Sequence, residues 1–165
     1  NATGLLHDPD RDIFPERSMR HLEMEKMQAV FAANAFGPAL LMKHLLPKLP
    51  RQRPAIFASL SARVGSISDN RLGGWYAYRA AKAAHNMFIK TAALEVAHRY
   101  QQAVIVGLHP GTVASNLSEP FQGNVAPEKL FTPEQSAEHL LNVLSKVTVA
   151  DSGKVLAWDG AVVPA

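Results

Sequence analysis

A chain of 165 residues, 47% apolar and 19% charged, has enough hydrophobic surface to bury the core of one domain, and a single domain over residues 1–165 is expected. It contains no Cys, which excludes disulfides and thiolate chemistry and fits a reducing compartment, so a cytoplasmic location is expected. The net charge of +3 comes from scattered Lys and Arg, with Arg51-Gln52-Arg53 the one dense cluster, so no nucleic-acid partner is expected.

The chain opens with Asn1-Ala2-Thr3-Gly4 and two leucines, then passes through residues 5–17, whose Pro9, Pro15 and charges read as an irregular loop. Ser18 can cap a helix that starts at Met19 and packs Leu22, Met27, Val30 and Phe31. Pro38 should interrupt that helix, because its ring clashes with the carbonyl four residues back and it has no N–H of its own. That carbonyl belongs to Asn34. The helix resumes through Leu40, Leu41, Leu45 and Leu46 until Pro47 and Pro50. Broken in this way by Gln28, Asn34, Gly37 and Pro38, residues 27–42 read as too short to cross a bilayer, and no membrane association is expected.

Ala55-Ile56-Phe57-Ala58 reads as a short buried strand, with Ser59 and Ser61 at its end. Residues 77–97 lack Gly and Pro and form a helix; Val104-Ile105-Val106-Gly107-Leu108 is a second strand that runs into His109-Pro110-Gly111-Thr112. Residues 113–131 are long and polar enough to cover a site. Thr132-Pro133-Glu134-Gln135 makes a capping box for a helix through Ala137, Leu140, Leu141, Leu144 and Val147, and Lys154-Val155-Leu156-Ala157-Trp158 is the last strand. Counting a strand that exits at Asn1, strands and helices alternate along the whole chain, as in half of a doubly wound α/β fold with a parallel sheet.

Tyr78 and Lys82 stand four residues apart, so the helix puts phenol and ammonium on one face. A phenol titrates near pH 10, and bringing it to about 7 takes roughly 4 kcal/mol of preferential stabilisation of the phenolate, much of which a neighbouring cation can supply. Tyr76 has Ala80 at the corresponding position and no such partner. The seven histidines show no metal-ligand spacing; His109, beside the Pro-Gly turn, either faces a ligand or bonds backbone. Trp75, Trp158 and Phe121 read as packing, with Phe121 also placed to face a substrate. In open α/β sheets ligands sit beyond the carboxyl ends of the strands, where Asn1-Ala2-Thr3-Gly4, the serines and Pro110-Gly111 all fall.

Taken in order, Asn-x-x-Gly at 1–4, Asn-x-x-Gly at 34–37, the serine segment, Tyr-x-x-x-Lys and Pro-Gly resemble the short-chain dehydrogenase/reductase family. The wording of residues 63–79 is similar to its C-factor-like subgroup, which includes cell-contact signalling proteins as well as oxidoreductases. The resemblance implies a partial Rossmann-type sheet that lacks the N-terminal βαβ dinucleotide-binding strands and their Gly-rich turn, so the chain is expected to be a truncated one that begins at the exit of the fourth strand. It implies NAD or NADP as cofactor and a small carbonyl or alcohol as substrate. Tyr78 would be the acid and Lys82 would lower its pKa and hold the ribose. A serine would bind the reacting oxygen, and the main-chain carbonyl of Asn34 would join a water relay to the lysine. Asn1, Ala2, Gly4, Tyr78, Lys82, Pro110, Gly111, Thr112 and Val113 would contact cofactor, and Ser61 and Phe121 substrate. The family's Ser-x-x-Gly is altered, since Ala62 stands three before Gly65; Ser61 takes the place after a one-residue adjustment, with Ser59 and Ser66 as alternatives.

Helices 19–46 and 78–99 carry apolar residues on more than one face, which implies a homodimer or tetramer through them. Two functions remain: an NAD(P)-dependent oxidoreductase, inactive as this piece alone, and a noncatalytic cell-cell signalling or interaction module. Because the pyrophosphate cradle of such enzymes lies in the Gly-rich turn, the 165 residues alone are expected to bind NADH and NADPH weakly. Calorimetric titration checks this, and tight saturable binding of either contradicts it.

Overall fold

The structure, a computed structural model, describes residues 1–165 apart from the side chain of Asn124. Its regular elements are α1 (Met24–Phe31), a π turn (Ala32–Phe36), α2 (Gly37–Leu45), β1 (Ala55–Leu60), α3 (Tyr76–Ala97), β2 (Ala103–His109), β3 (Thr112–Val113), β4 (Leu130–Phe131), α4 (Pro133–Leu144) and β5 (Val155–Ala157). The main sheet has the order β1-β2-β5, all parallel, with Ala55 opposite Ala103 and Gly107 opposite Val155.

Central β2 is buried along nearly its whole length, which explains its unbroken apolar sequence: a parallel strand covered on both faces has no solvent side to alternate with. Phe57 and Ile105 project to one face and pack with Met42, Leu46, Ile89, Ala93 and Val96 of the α2 and α3 region. Their neighbours Ala58, Leu60, Leu108 and Leu156 project to the other and meet Leu140, Val143 and Leu144 of α4. Helices on both faces of a parallel sheet make the fold the doubly wound α/β type.

Three local expectations are corrected. No opening strand forms: Asn1 alone continues the sheet, its amino group donating to the Ala58 carbonyl and its carbonyl accepting from Leu60 N–H, both at 2.8 Å. Ser18 caps only a 3-10 turn, Met19–His21, and α1 starts at Met24. Met19, Arg20 and His21 are all exposed, so nothing is gained by extending the helix through them.

Pro38 does not stop the helix. The turn before it widens, with Gly37 N–H donating to the Ala32 carbonyl five residues back, and Pro38 enters at the second position of α2. The result is one helical run, Met24–Lys48, of 25 residues, with an 18-residue stretch of mean hydropathy 1.3, long and apolar enough by length and composition to cross a membrane. Here Val30 and Ala35 pack with Leu6, Ile13, Ala77 and Ala81 inside the fold. Residues 113–131, expected to cover a site, are a folded segment: β3 pairs parallel with β4, and 3-10 turns occupy Glu119–Asn124 and Pro127–Lys129.

The π turn presents Asn34, fully buried, to the opening loop. Its Nδ2 donates to the Leu5 carbonyl at 2.7 Å and to the Val30 carbonyl at 2.8 Å, and its Oδ1 accepts from Leu5 N–H at 3.2 Å. Asn34→Ala removes both partners of the Leu5 peptide groups and is expected to cost about 2–3 kcal/mol of stability. Urea unfolding, read as a lower midpoint at unchanged slope, checks it.

Candidate active site

The carboxyl end of β1 is joined to α3 by three successive contacts. Ser59 Oγ bonds His85 Nε2 at 2.9 Å, Lys82 Nζ donates to the Leu60 carbonyl at 3.2 Å, and Ser61 Oγ donates to Asn86 Oδ1. The strand alternation turns both serines toward α3, and residues 82, 85 and 86 share the facing side of the helix. Gly65 closes the joint. A Cβ there would stand 2.8 Å from the Lys82 main-chain carbon, so only glycine lets the turn Arg63–Gly65 lie this close to α3.

A cavity of about 590 Å³ opens at this joint. Tyr78, Lys82, Ser61 and Phe121 line it, as do Ala2, Gly4, Pro110, Gly111, Thr112 and Val113. Of the three candidate serines Ser61 alone reaches the cavity. Ser59 is buried between His85 and the Asn1 amide (3.0 Å), and Ser66 accepts from Asp69 N–H at 3.1 Å on the far side of the turn. Asn1, expected at the cofactor, is instead a support for Ser59 and does not line the cavity. Asn34 lies behind the wall; its Oδ1 and Lys82 Nζ flank Gly4, at 3.4 and 4.0 Å from where a Cβ would be.

Burial dominates the electrostatics of the Tyr78-Lys82 pair in the folded chain. Burial pushes the Tyr78 phenol up to about 12 and Lys82 down to about 8. Lys82 Nζ lies 5.7 Å from the centre of the Tyr78 ring and is itself poorly solvated, so loss of water outweighs the attraction between ammonium and phenolate. The phenol in this arrangement is held protonated. His109 also lines the cavity, and burial, reinforced by the Arg63 charge and opposed by Asp159, brings it down to about 4. Its Nδ1 is buried without a partner, so the backbone bond anticipated for this residue is not made through that atom.

Other residues at the site went unassigned in the sequence. Trp75 lines the cavity one helical turn before Tyr78, and Leu6, Val64, Leu117, Val125 and Leu140 join it. Asn86 lies four residues after Lys82, the spacing that could have marked it as a neighbour. Glu16, buried, holds the start of α3 by accepting Trp75 N–H on its carbonyl at 2.6 Å and Ala77 N–H on Oε2 at 3.1 Å.

The sequence and the fold have known counterparts. The family model described as short chain dehydrogenase matches residues 13–125, and the chain belongs to that family. It is 32% identical over 138 residues to C-signal of Myxococcus xanthus, covering 84% of this chain and 78% of that protein. It is equally 32% identical over 141 residues to 1-hydroxy-2-glutathionyl-2-methyl-3-butene dehydrogenase of Rhodococcus sp. (strain AD45), covering 84% of this chain and 58% of the relative. Among solved structures it superposes on carbonyl reductase Sniffer of D. melanogaster with a TM-score of 0.81 at 24% identity, over 98% of this chain and 63% of that one. The NADPH-bound carbonyl reductase from chicken fatty liver gives 0.80 at 27% identity, over 98% and 63%. The chain therefore spans about three fifths of the length of several of its relatives.

The lowered Lys82 pKa has a consequence for stability. Below pH 8 the lysine is charged in the folded and the unfolded chain, and the folded chain bears the cost of a buried charge; between about 8 and 10.5 the unfolded chain holds the extra proton, so this cost fades as pH rises. Lys82→Met is thus expected to stabilise the chain at pH 7, by up to about 3 kcal/mol less the lost bond to Leu60, with the gain shrinking toward pH 10.5. Urea unfolding of both forms at pH 7 and pH 10 measures it; a gain that grows with pH contradicts it.

Proposed function

We propose that this chain is the catalytic and substrate-binding part of an NAD(P)-dependent oxidoreductase that interconverts a small carbonyl compound and its alcohol. The observation that carries this reading is the convergence of Tyr78, Lys82 and Ser61 on one cavity at the carboxyl end of the sheet. In the reduction direction Tyr78 donates its proton from Oη to the carbonyl oxygen. The phenol carries that proton at neutral pH, while burial, by raising its pKa, makes it a weaker acid for the transfer. Ser61 turns its hydroxyl from Asn86 Oδ1 to the same oxygen, and the main-chain carbonyl of Asn34 serves the relay behind Lys82.

The residues present fit a nicotinamide and its ribose. Lys82 uses one of its three N–H donors on Leu60, which leaves donors for adjacent hydroxyls. Ala2, Gly4, Pro110, Gly111, Thr112 and Val113 give the rim small side chains and backbone groups. The nicotinamide, when bound, supplies hydride to the carbonyl carbon. The likeness to proteins solved with NADPH or NADP supports the same cofactor class.

We further propose action in the cytoplasm, without membrane or nucleic-acid partners, as a homodimer or tetramer formed through helices 19–46 and 78–99. Phe36, Leu40, Leu45, Met87 and Leu94 are exposed on these helices and supply the apolar second faces such contacts need. The similarity to C-signal is the observation on the side of a noncatalytic signalling module; a buried phenol and amine at a cavity wall favour the enzyme. Tyr78→Phe, in the chain supplemented if needed with a Gly-rich βαβ segment, is expected to lower carbonyl reduction at least about 100-fold with the fold intact. Turnover with NADPH, alongside circular dichroism, decides, and unchanged kcat refutes the role.

A further inference from the structure

α3 is preceded by three consecutive residues in the left-handed region: Gly73 (φ +65°), Gly74 (φ +65°) and Trp75 (φ +53°). Glycine adopts this conformation at little cost, but a bulky side chain there is strained. Such an outlier persists only where its surroundings hold it, and the Glu16 carbonyl does so from a distant loop through its 2.6 Å bond to Trp75 N–H. The conformation delivers the indole to the cavity wall, edge-on to the Tyr78 ring (centroids 6.2 Å apart, planes at 74°).

Phe121 completes a corner. It comes from the turn Glu119–Asn124, meets Trp75 at 4.9 Å with planes at 60°, and is backed by an edge contact with His7 at 5.9 Å. The wall around this corner is Leu6, Val64, Leu117 and Val125. Among the described lining residues there is no Asp, Glu or Arg, and the one ammonium is Lys82, whose free donors are assigned above to the ribose. A carboxylate, phosphate or amine on a substrate would lose its water at this corner without gaining a counter-charge from Trp75, Phe121, Leu6, Val64, Leu117 or Val125. A flat apolar group would gain aromatic contact.

We propose that Trp75, assisted by Phe121, is a specificity-determining residue that selects uncharged planar carbonyl compounds, aryl ketones and aldehydes, over aliphatic and ionised ones. This deepens the oxidoreductase reading of the cavity and rests on it. The selection acts on binding and can be read without turnover.

The test compares dissociation constants of acetophenone, cyclohexyl methyl ketone and phenylglyoxylate for the 165-residue chain by ligand-detected NMR. Acetophenone is expected to bind about fivefold or more tighter than either of the others. In Trp75→Leu its advantage over the cyclohexyl ketone should fall to near unity, and in Phe121→Leu it should fall partway. Equal affinities in the parent, no saturable binding of any probe, or an unchanged ratio in a folded Trp75→Leu chain overturns the proposal. Should circular dichroism show Trp75→Leu unfolded, Phe121→Leu decides alone, and an undiminished ratio there is equally fatal. Turnover that survives Tyr78→Phe would sink the reaction assigned above without touching this ratio. A flat ratio beside a Tyr78-dependent reaction would sink only the aromatic selection.

Discussion

The close approach of α3 to the end of β1 is the constraint on which the site depends. Ser59, the Leu60 carbonyl and Ser61 each take a partner from residues 82–86, so three consecutive residues at the end of β1 are fastened to little more than one turn of helix. The turn that follows, Arg63–Gly65, can lie against the same part of α3 because Gly65 has no side chain to hold it off. Once the helix is fixed there, the 3.6-residue period brings Tyr78, one turn earlier than Lys82, to the cavity, and the axial position of the phenol needs no loop to define it. A site on rigid elements of this kind holds its geometry better than one assembled from loops.

The same closeness strips water from the reacting groups. Tyr78 is driven toward its neutral form and so is Lys82, although one is an acid and the other a base, because burial disfavours whichever form carries charge. The two effects differ in kind: the phenol stays neutral and becomes a weaker acid, whereas the lysine is charged at neutral pH at a cost to the fold. A protein that keeps a strained Trp75 and a buried ammonium within one helical turn on either side of Tyr78 gives up stability at this position, as functional sites commonly do.

What could be read in the sequence was local. The Tyr78-Lys82 spacing lies in a stretch without Gly or Pro, so its geometry follows from helix period alone, and the Thr132 box is made as its pattern requires, Gln135 N–H to Thr132 Oγ1 at 3.2 Å and Thr132 N–H to Gln135 Oε1 at 2.9 Å. The buried strands were legible for the same reason, as short apolar runs ending in turns. Tertiary packing decided the rest. Choosing among Ser59, Ser61 and Ser66 depends on which α3 residues face each hydroxyl, and Trp75 reads as an ordinary core aromatic until Glu16, 59 positions earlier in the numbering, is seen to hold its backbone.

Asn34 and Pro38 show how a sequence signal can be sound while its mechanism differs. A proline four residues after an asparagine does mark an irregular helix, but the irregularity is a widened turn, with the Gly37 N–H reaching back to Ala32. The widened turn lets the helix continue and keeps the Asn34 side chain in the interior. There its amide grips both peptide groups of Leu5, which fixes the opening segment whose Ala2, Gly4 and Leu6 line the cavity. A hydrophobic side chain at position 34 could fill the space, yet it would leave the Leu5 N–H and carbonyl without partners. The asparagine therefore acts on the site through the loop it holds as well as through any role of its own carbonyl, and the loop's position is set by a helix that the proline deforms without ending.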